Sequence, residues 1–201
     1  VTTIQDILPF RDSEGITWVN VEGLHDIALI EAIGQHFNIH NLNLEDILNT
    51  HQRPKMEDHD DYLYIVLKGL EVTDTVPFEV EYEQVSILVL KNFVFTFKEK
   101  PDGMFDAIIK SFEFEKAKVR RFGTDYLTYV LMDTIVDEYF TLQDTLDELI
   151  EEIEEELLSS PTTQTLVAIQ RIKRELVFIR KSVAPVRELL MNIQRKDSAL
   201  I

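Results

Sequence analysis

The stretch Leu44–Lys55 reads LEDILNTHQRPK, and core packing accounts for little of it. Two acids, an Asn, a His, a Gln and the run Arg53-Pro54-Lys55 crowd around Leu44, Ile47 and Leu48. Asn43 is placed to cap a short helix that carries Glu45 and Asp46 in its first turn, where carboxylates favour the positive end of the helix dipole. Pro54 then ends the segment. Arg53 is expected to lock the loop by pairing with a neighbouring acid.

Outward from this stretch the first half of the chain alternates short strand-like and helix-like segments. Upstream, Thr17–Val21 is a β-rich run, and Ile27, Ile30, Ile33 and Phe37 recur at helical spacing with Gly34 as the one weak point. Downstream, Tyr62–Leu70, Val80–Leu90 and Phe93–Phe97 are rich in Val, Ile, Tyr and Phe. Lys91-Asn92 suits a tight hairpin between the last two, which predicts antiparallel strands. Acids alternate only roughly with apolar residues over Glu79–Ser86, which predicts one wet face there. Ile87–Leu90 is apolar on both faces, which predicts helices on both sides of the sheet.

From Thr124 the pattern changes to long helices. Tyr139, Leu142, Leu146, Leu149 and Ile153 are spaced by threes and fours until Ser159-Ser160-Pro161 breaks them. Beyond the break, Ile169, Ile172, Leu176, Ile179, Val183, Val186, Leu190 and Ile193 read as a heptad, the pattern of a helix lying along another helix. Two long helices folded back as a hairpin are predicted. Pro185 is expected to kink the second, and Ala199-Leu200-Ile201 is left uncapped.

The chain has 201 residues, 45% of them hydrophobic, no cysteine and a formal net charge of -17. That charge makes nucleic acid and anionic membrane surfaces poor partners and cations or basic surfaces natural ones. Without cysteine there is neither a disulfide framework nor a thiolate metal site. No charged-then-apolar leader is seen, and no apolar run approaches the roughly 20 residues that span a bilayer. These 201 residues therefore read as a soluble piece.

Acids dominate the candidate chemistry. Asp133, Asp137, Asp144, Glu148, Glu151 and Glu155 form a stripe at helical spacing, while Arg171, Lys173, Arg174, Arg180, Lys181 and Arg187 face them from the next helix, so ion pairing or plain solvation explains most of the stripe. Asp133 stands apart because apolar residues flank it in sequence, which calls for a partner: an ion pair at an interface, or a hard cation that takes oxygen ligands. The histidines are scattered, and Asp58-His59-Asp60-Asp61 reads as a solvated turn. No nucleophile, base and metal set can be assembled, so an enzyme such as a metal-dependent hydrolase is not expected.

The order and spacing of several motifs carry a family resemblance. Leu8-Pro9-Phe10-Arg11-Asp12, Thr17-Trp18-Val19-Asn20, Leu44-Glu45-Asp46-Ile47-Leu48 with His51-Gln52-Arg53-Pro54-Lys55, Glu83-Gln84-Val85-Ser86 and Asp125-Tyr126-Leu127 together resemble the cytosolic domain of the CorA family of magnesium channels. The resemblance implies the α/β class, as an α/β/α sandwich with a largely antiparallel mixed sheet over residues 1–123. A long antiparallel helical hairpin follows over 124–201, leading towards a pore helix. It implies regulatory metal sites between neighbouring subunits of a homopentamer, with Glu45, Asp46 and Asp133 as this chain's share of the ligands. Mg2+ is the implied ion, with Co2+ or Ni2+ as other divalent candidates. A further carboxylate, the pore helix, a second membrane helix and a Gly-Met-Asn motif would all lie beyond these residues, so contact with the membrane comes only through the missing part and the piece alone is compatible with a monomer. The implied place is the cytoplasmic side of a cell membrane.

Two other readings stay open at this stage. A relative of the same family that transports zinc would share the architecture, although zinc favours His and Cys over carboxylates. An acidic helical interaction module with no metal role would need only the heptads and the charge.

Overall fold

The computed structural model describes residues 3–73, 79–114, 118–195 and 200, with the backbone alone at Arg120. In chain order its elements are α1 (Ile4–Ile7) running into a 3-10 turn (Leu8–Phe10), β1 (Thr17–Glu22), α2 (Ile27–Phe37), α3 (Asn41–Leu48), β2 (Lys55–Asp58), β3 (Leu63–Thr73), β4 (Glu79–Val89), β5 (Phe93–Lys98), α4 (Asp106–Ser111), α5 (Lys118–Arg121), α6 (Thr124–Ser159) and α7 (Thr163–Arg195). The strands form one sheet in the order β1-β5-β4-β3-β2. All neighbours are antiparallel except β1 and β5, which run parallel from Thr17 opposite Phe93 to Glu22 opposite Lys98. The expected mixed, largely antiparallel sandwich is the fold observed.

Alternation along the inner strands decides the layers, because successive side chains point to opposite faces. Tyr64, Val66, Leu88, Phe93, Phe95 and Phe97 pack with Ile30, Ile33, Phe37 and Ile47 of α2 and α3. Their neighbours Leu63, Ile65, Leu67, Val85, Ile87 and Val94 pack with Leu127, Leu131 and Ile135 of α6, and with Val186 and Leu189 of α7. The division proposed at residues 123 and 124 falls at the start of α6, whose first half covers the sheet. Only farther along, past Leu142 and Leu146, does α6 leave the strands behind. The hairpin turn is fastened by Thr165, which donates to Glu156 Oε1 at 2.6 Å and accepts from the Thr162 N–H at 3.0 Å.

Gly34 is a close approach, not a weak point. A Cβ there would lie 2.2 Å from a Leu44 methyl carbon, so the missing side chain lets α2 and α3 touch.

Three local expectations are corrected. Asn43 is not the cap of α3: His40 caps it, its Nδ1 accepting from the Leu42 N–H at 3.2 Å, and Glu45 and Asp46 fall in the second turn. Asn43 is instead buried at 2% exposure, accepting from the Tyr62 hydroxyl and donating to Glu57 Oε2, both at 2.6 Å. Helix α3 ends at Leu48, well before Pro54. In α7 the heptad fails at Leu176 and Leu190, which are exposed, while Leu189 is buried. The helix packs on a sheet as well as on α6, so its contacts follow the 3.6-residue period of a straight helix and drift off a strict seven-residue repeat. It continues through Pro185. The uncapped terminus at Ala199-Leu200-Ile201 lies outside the described residues, apart from Leu200.

Replacing Asn43 with Ala would leave the buried Tyr62 hydroxyl without its acceptor. The expected loss of stability is about 1–3 kcal/mol, read as a lower midpoint in urea unfolding with an unchanged slope.

Candidate metal centre

Helix α3 turns Leu44 and Ile47 into the core, which leaves Glu45 in solvent and Asp46 half-buried. Asp46 already has a counter-ion. Lys55 Nζ lies 2.5 Å from Asp46 Oδ2 and 2.6 Å from Glu57 Oε1, above the Tyr64 ring. Burial pulls the Lys55 amine down, but its hydrogen bonds to Asp46 and Glu57 outweigh that and hold it above the ordinary lysine value. Burial likewise raises Glu57, and the bonds from Lys55 and Asn43 reverse the shift to a net lowering.

The loop after α3 is tied down from the sheet. Buried Gln84 donates to the Asp46 carbonyl at 2.8 Å and accepts from the Gln52 N–H at 3.0 Å, and Lys68 donates to the Thr50 carbonyl at 2.6 Å. These bonds, rather than an ion pair of Arg53, hold the loop. Arg53 is exposed, and none of the ion pairs among the described residues includes it.

Asp133 lies on the solvent side of α6, next to the buried pair Leu131 and Met132 but pointing away from them, so its apolar neighbours in sequence do not enclose it. No partner is required of a carboxylate so placed. Asp46 and Asp133 come from helices on opposite faces of the sheet, α3 on one and α6 on the other. One copy therefore cannot bring both onto the same ion. Among the described residues no three His, Asp or Glu side chains converge as metal ligands. The rest of the α6 stripe is likewise exposed. Among the described residues its acids form no ion pair with α7, whose Arg171 reaches Glu79 of the sheet instead, so solvation explains them.

A second acidic constellation escaped the sequence reading. Lys98, fully buried at the end of β5, pairs with Asp102 and lies 3.7 Å from Glu83, which also accepts from the Lys100 N–H at 2.7 Å. Glu138 enters from α6, and its Oε2 is buried with no hydrogen-bond partner among the described residues. Glu83, Lys100, Asp102 and Glu138 border a cavity of about 400 Å³ between β3, β4 and α6. Burial, and a hydrogen bond with Asp102, push Glu83 up. Burial first, then Asp102 and Glu71, push Glu138 up to about 7, against the opposing pull of Lys98 and the Leu70 N–H. One signal was legible: Glu138 occupies the same helical face as Ile135 and Leu142, where an apolar residue belongs. Lys98 occupies the centre that a metal would need.

The model of the family described as "CorA-like Mg2+ transporter protein" matches residues 13–201. The chain belongs to the CorA family. It is 41% identical over 200 residues to the cobalt/magnesium transport protein CorA of Thermotoga maritima, covering all of this chain and 57% of that protein. It is 27% identical over 181 residues to the putative metal ion transporter YfjQ of Bacillus subtilis, covering 90% of this chain and 54% of that protein. The chain thus spans a little over half the length of the curated relatives it matches. Its fold is that of the soluble domain of CorA from Methanocaldococcus jannaschii, with a TM-score of 0.78 at 19% identity over 92% of this chain and 73% of that one. The cytoplasmic domain of ZntB from Vibrio parahaemolyticus shares the fold at a TM-score of 0.70 and 16% identity, over 91% and 70% of the two chains. No helix among the described residues is long and apolar enough to cross a membrane.

Glu138 gives this CorA-family chain a pH dependence of known sign. Its folded pKa near 7 exceeds the ordinary 4.5, so the folded state holds an extra proton between those values and this group's contribution to stability falls as pH rises from about 5 to about 7. Glu138→Gln is expected to melt higher than the parent at pH 8, with the difference shrinking towards pH 5. Thermal unfolding across that range checks it.

Proposed function

We propose that this chain is the metal-sensing regulatory part of a divalent-cation transporter in which Mg2+, held between neighbouring copies, keeps the pore closed. The observation that carries this reading is the placement of Asp46 and Asp133 on opposite faces of one sheet. Acids so divided serve a shared ion only when one copy presents Asp46, with Glu45 beside it, to the neighbour's Asp133. A closed ring, read here as a homopentamer, repeats that junction at every boundary. The ring would stand on the cytoplasmic side of a cell membrane, joined to it through segments beyond these residues.

Carboxylates of this kind suit Mg2+, which usually keeps several waters and takes one or two protein oxygens. Co2+ or Ni2+ would occupy the same oxygens. Loss of the ion leaves like charges facing each other. Two carboxylates about 4 Å apart repel by about 4 kcal/mol at an effective dielectric of 20, so several junctions bias an open-closed equilibrium strongly. Zinc, which the shared fold with ZntB would admit, is the weaker reading because the donors are acids and not His or Cys. The work assigned is transport control, in keeping with a family of transporters, and not catalysis.

Lys55 is built into this proposal as a competitor, since Asp46 must release it to take the ion. In the full-length protein, Asp133→Asn is expected to abolish closure by intracellular Mg2+ in flux or current measurements; closure unchanged from the parent would remove Asp133 from the sensor. Lys55→Met is expected to move closure to lower Mg2+, by up to about fivefold, the most that a part-exposed ion pair contributes.

A further inference from the structure

The loop His51–Pro54 forms one wall of a second cavity, of about 590 Å³, whose other wall is α7 from Val177 to Pro185. His51, Arg53, Lys68, Arg180 and Lys181 line it, and no carboxylate does. This is unusual company in a chain with 37 acids and 20 Lys and Arg. Among the described residues none of those four Lys and Arg side chains takes part in an ion pair.

Lys68 sharpens the anomaly. Its amine is half-buried and donates to the neutral Thr50 carbonyl. Burial holds it below the ordinary lysine value, which Glu99 nearby only partly restores. A desolvated cation whose hydrogen bond goes to a neutral carbonyl is costly, and that cost falls when an anion enters. Gln84 holds the Gln52 N–H and Lys68 holds the Thr50 carbonyl, so the loop wall is in place before any ligand arrives. Phe178, 52% exposed on α7, adds an aromatic face to the rim, approached by Lys181 at 5.8 Å and edge-on to Tyr82. Acids approach without entering the lining: Glu99 lies near Lys68, and Glu175 Oε2 accepts from the Tyr82 hydroxyl at 3.2 Å.

We infer that this cavity is a binding site for a phosphate-bearing anion, with the cations of the loop and of α7 closing on its phosphates. Its volume is that of a small-ligand pocket, which ranges from about 300 to 1,000 Å³. Several cations around one concavity match the several negative oxygens of a polyphosphate better than a single carboxylate. The site is independent of the metal reading. It assigns a role to His51 and Arg53, which neither the core nor the acids explain.

Free polyphosphate and a nucleotide share this chemistry, and Phe178 tells them apart, since a base would stack on its exposed ring. The test is calorimetric titration of tripolyphosphate and of ATP, both with EDTA present, into this chain and into the full-length protein. Both probes are expected to bind more weakly as salt rises. Arg180→Ala with Lys181→Ala, both exposed, should weaken both probes by about tenfold or more. Phe178→Ala should weaken ATP alone by about fivefold, if the source is a nucleotide, and neither probe, if it is free polyphosphate; both results support the site. The inference is overturned if neither probe binds, if binding ignores the double substitution, or if binding to the chain vanishes in the full-length protein. A double variant that binds no less phosphate but sediments differently would instead make this face a contact for the acids of a second copy.

Discussion

The middle of the sheet has no wet side. Over Leu63–Leu67, Val85–Val89 and Phe93–Lys98 every residue is buried, whichever face it points to, and two apolar faces must be covered at once. At roughly 25 cal/mol per Å² of apolar surface removed from water, neither face is stable bare. Helices α2 and α3 cover one, and the first half of α6 with the last half of α7 covers the other. That requirement puts Asp46 and Asp133 on opposite sides of the molecule, and so shapes the metal reading without either residue touching the core.

Polar groups inside such a layered core must be satisfied from within it. The residues that do this here are largely those of the family motifs. Trp18 donates to Thr96 at 2.9 Å, and Thr96 donates to Asn20 at 2.7 Å, joining β1 to β5. Gln84 joins β4 to the carbonyl of α3 and to the loop behind it. Short motifs far apart in sequence are thus the two ends of the same hydrogen bonds. Lys98 is the exception, a buried cation shared between Asp102 and Glu83; its surroundings give Glu83 and Glu138 their raised affinity for protons.

Much of the fold was legible because its signals are local. The strand runs of β3, β4 and β5, the break at Ser159-Ser160-Pro161 and the 3.6-residue period of α2 depend on residues that lie near each other in sequence. What failed depends on partners far along the chain. Asn43 is a good helix cap by composition, and only the Tyr62 hydroxyl and the Glu57 carboxylate make it a core residue. Asp133 appeared enclosed because sequence neighbours are not spatial neighbours on a helix. Leu189 displaced Leu190 because the sheet, unseen in a heptad, sets the facing angle. Glu138 was visible as an acid in an apolar register, yet its meaning needs Lys98 and Asp102, which approach from another layer. The proposed metal ligands are the extreme case, since the partner that the proposal gives them belongs to another copy.

Helix α6 is one unbroken rod with two mechanical regimes. Up to about Leu146 it is clamped to the strands. Beyond, α7 is the one element beside it among the described residues, and it ends with Leu157 and Leu158 in water. Backbone hydrogen bonds in the clamped part open only when the sheet does, whereas those near the tip open by local fraying. A rigid lever with a soft end follows, so that a force applied at the tip is spent on bending the hairpin before it can pull on the sheet.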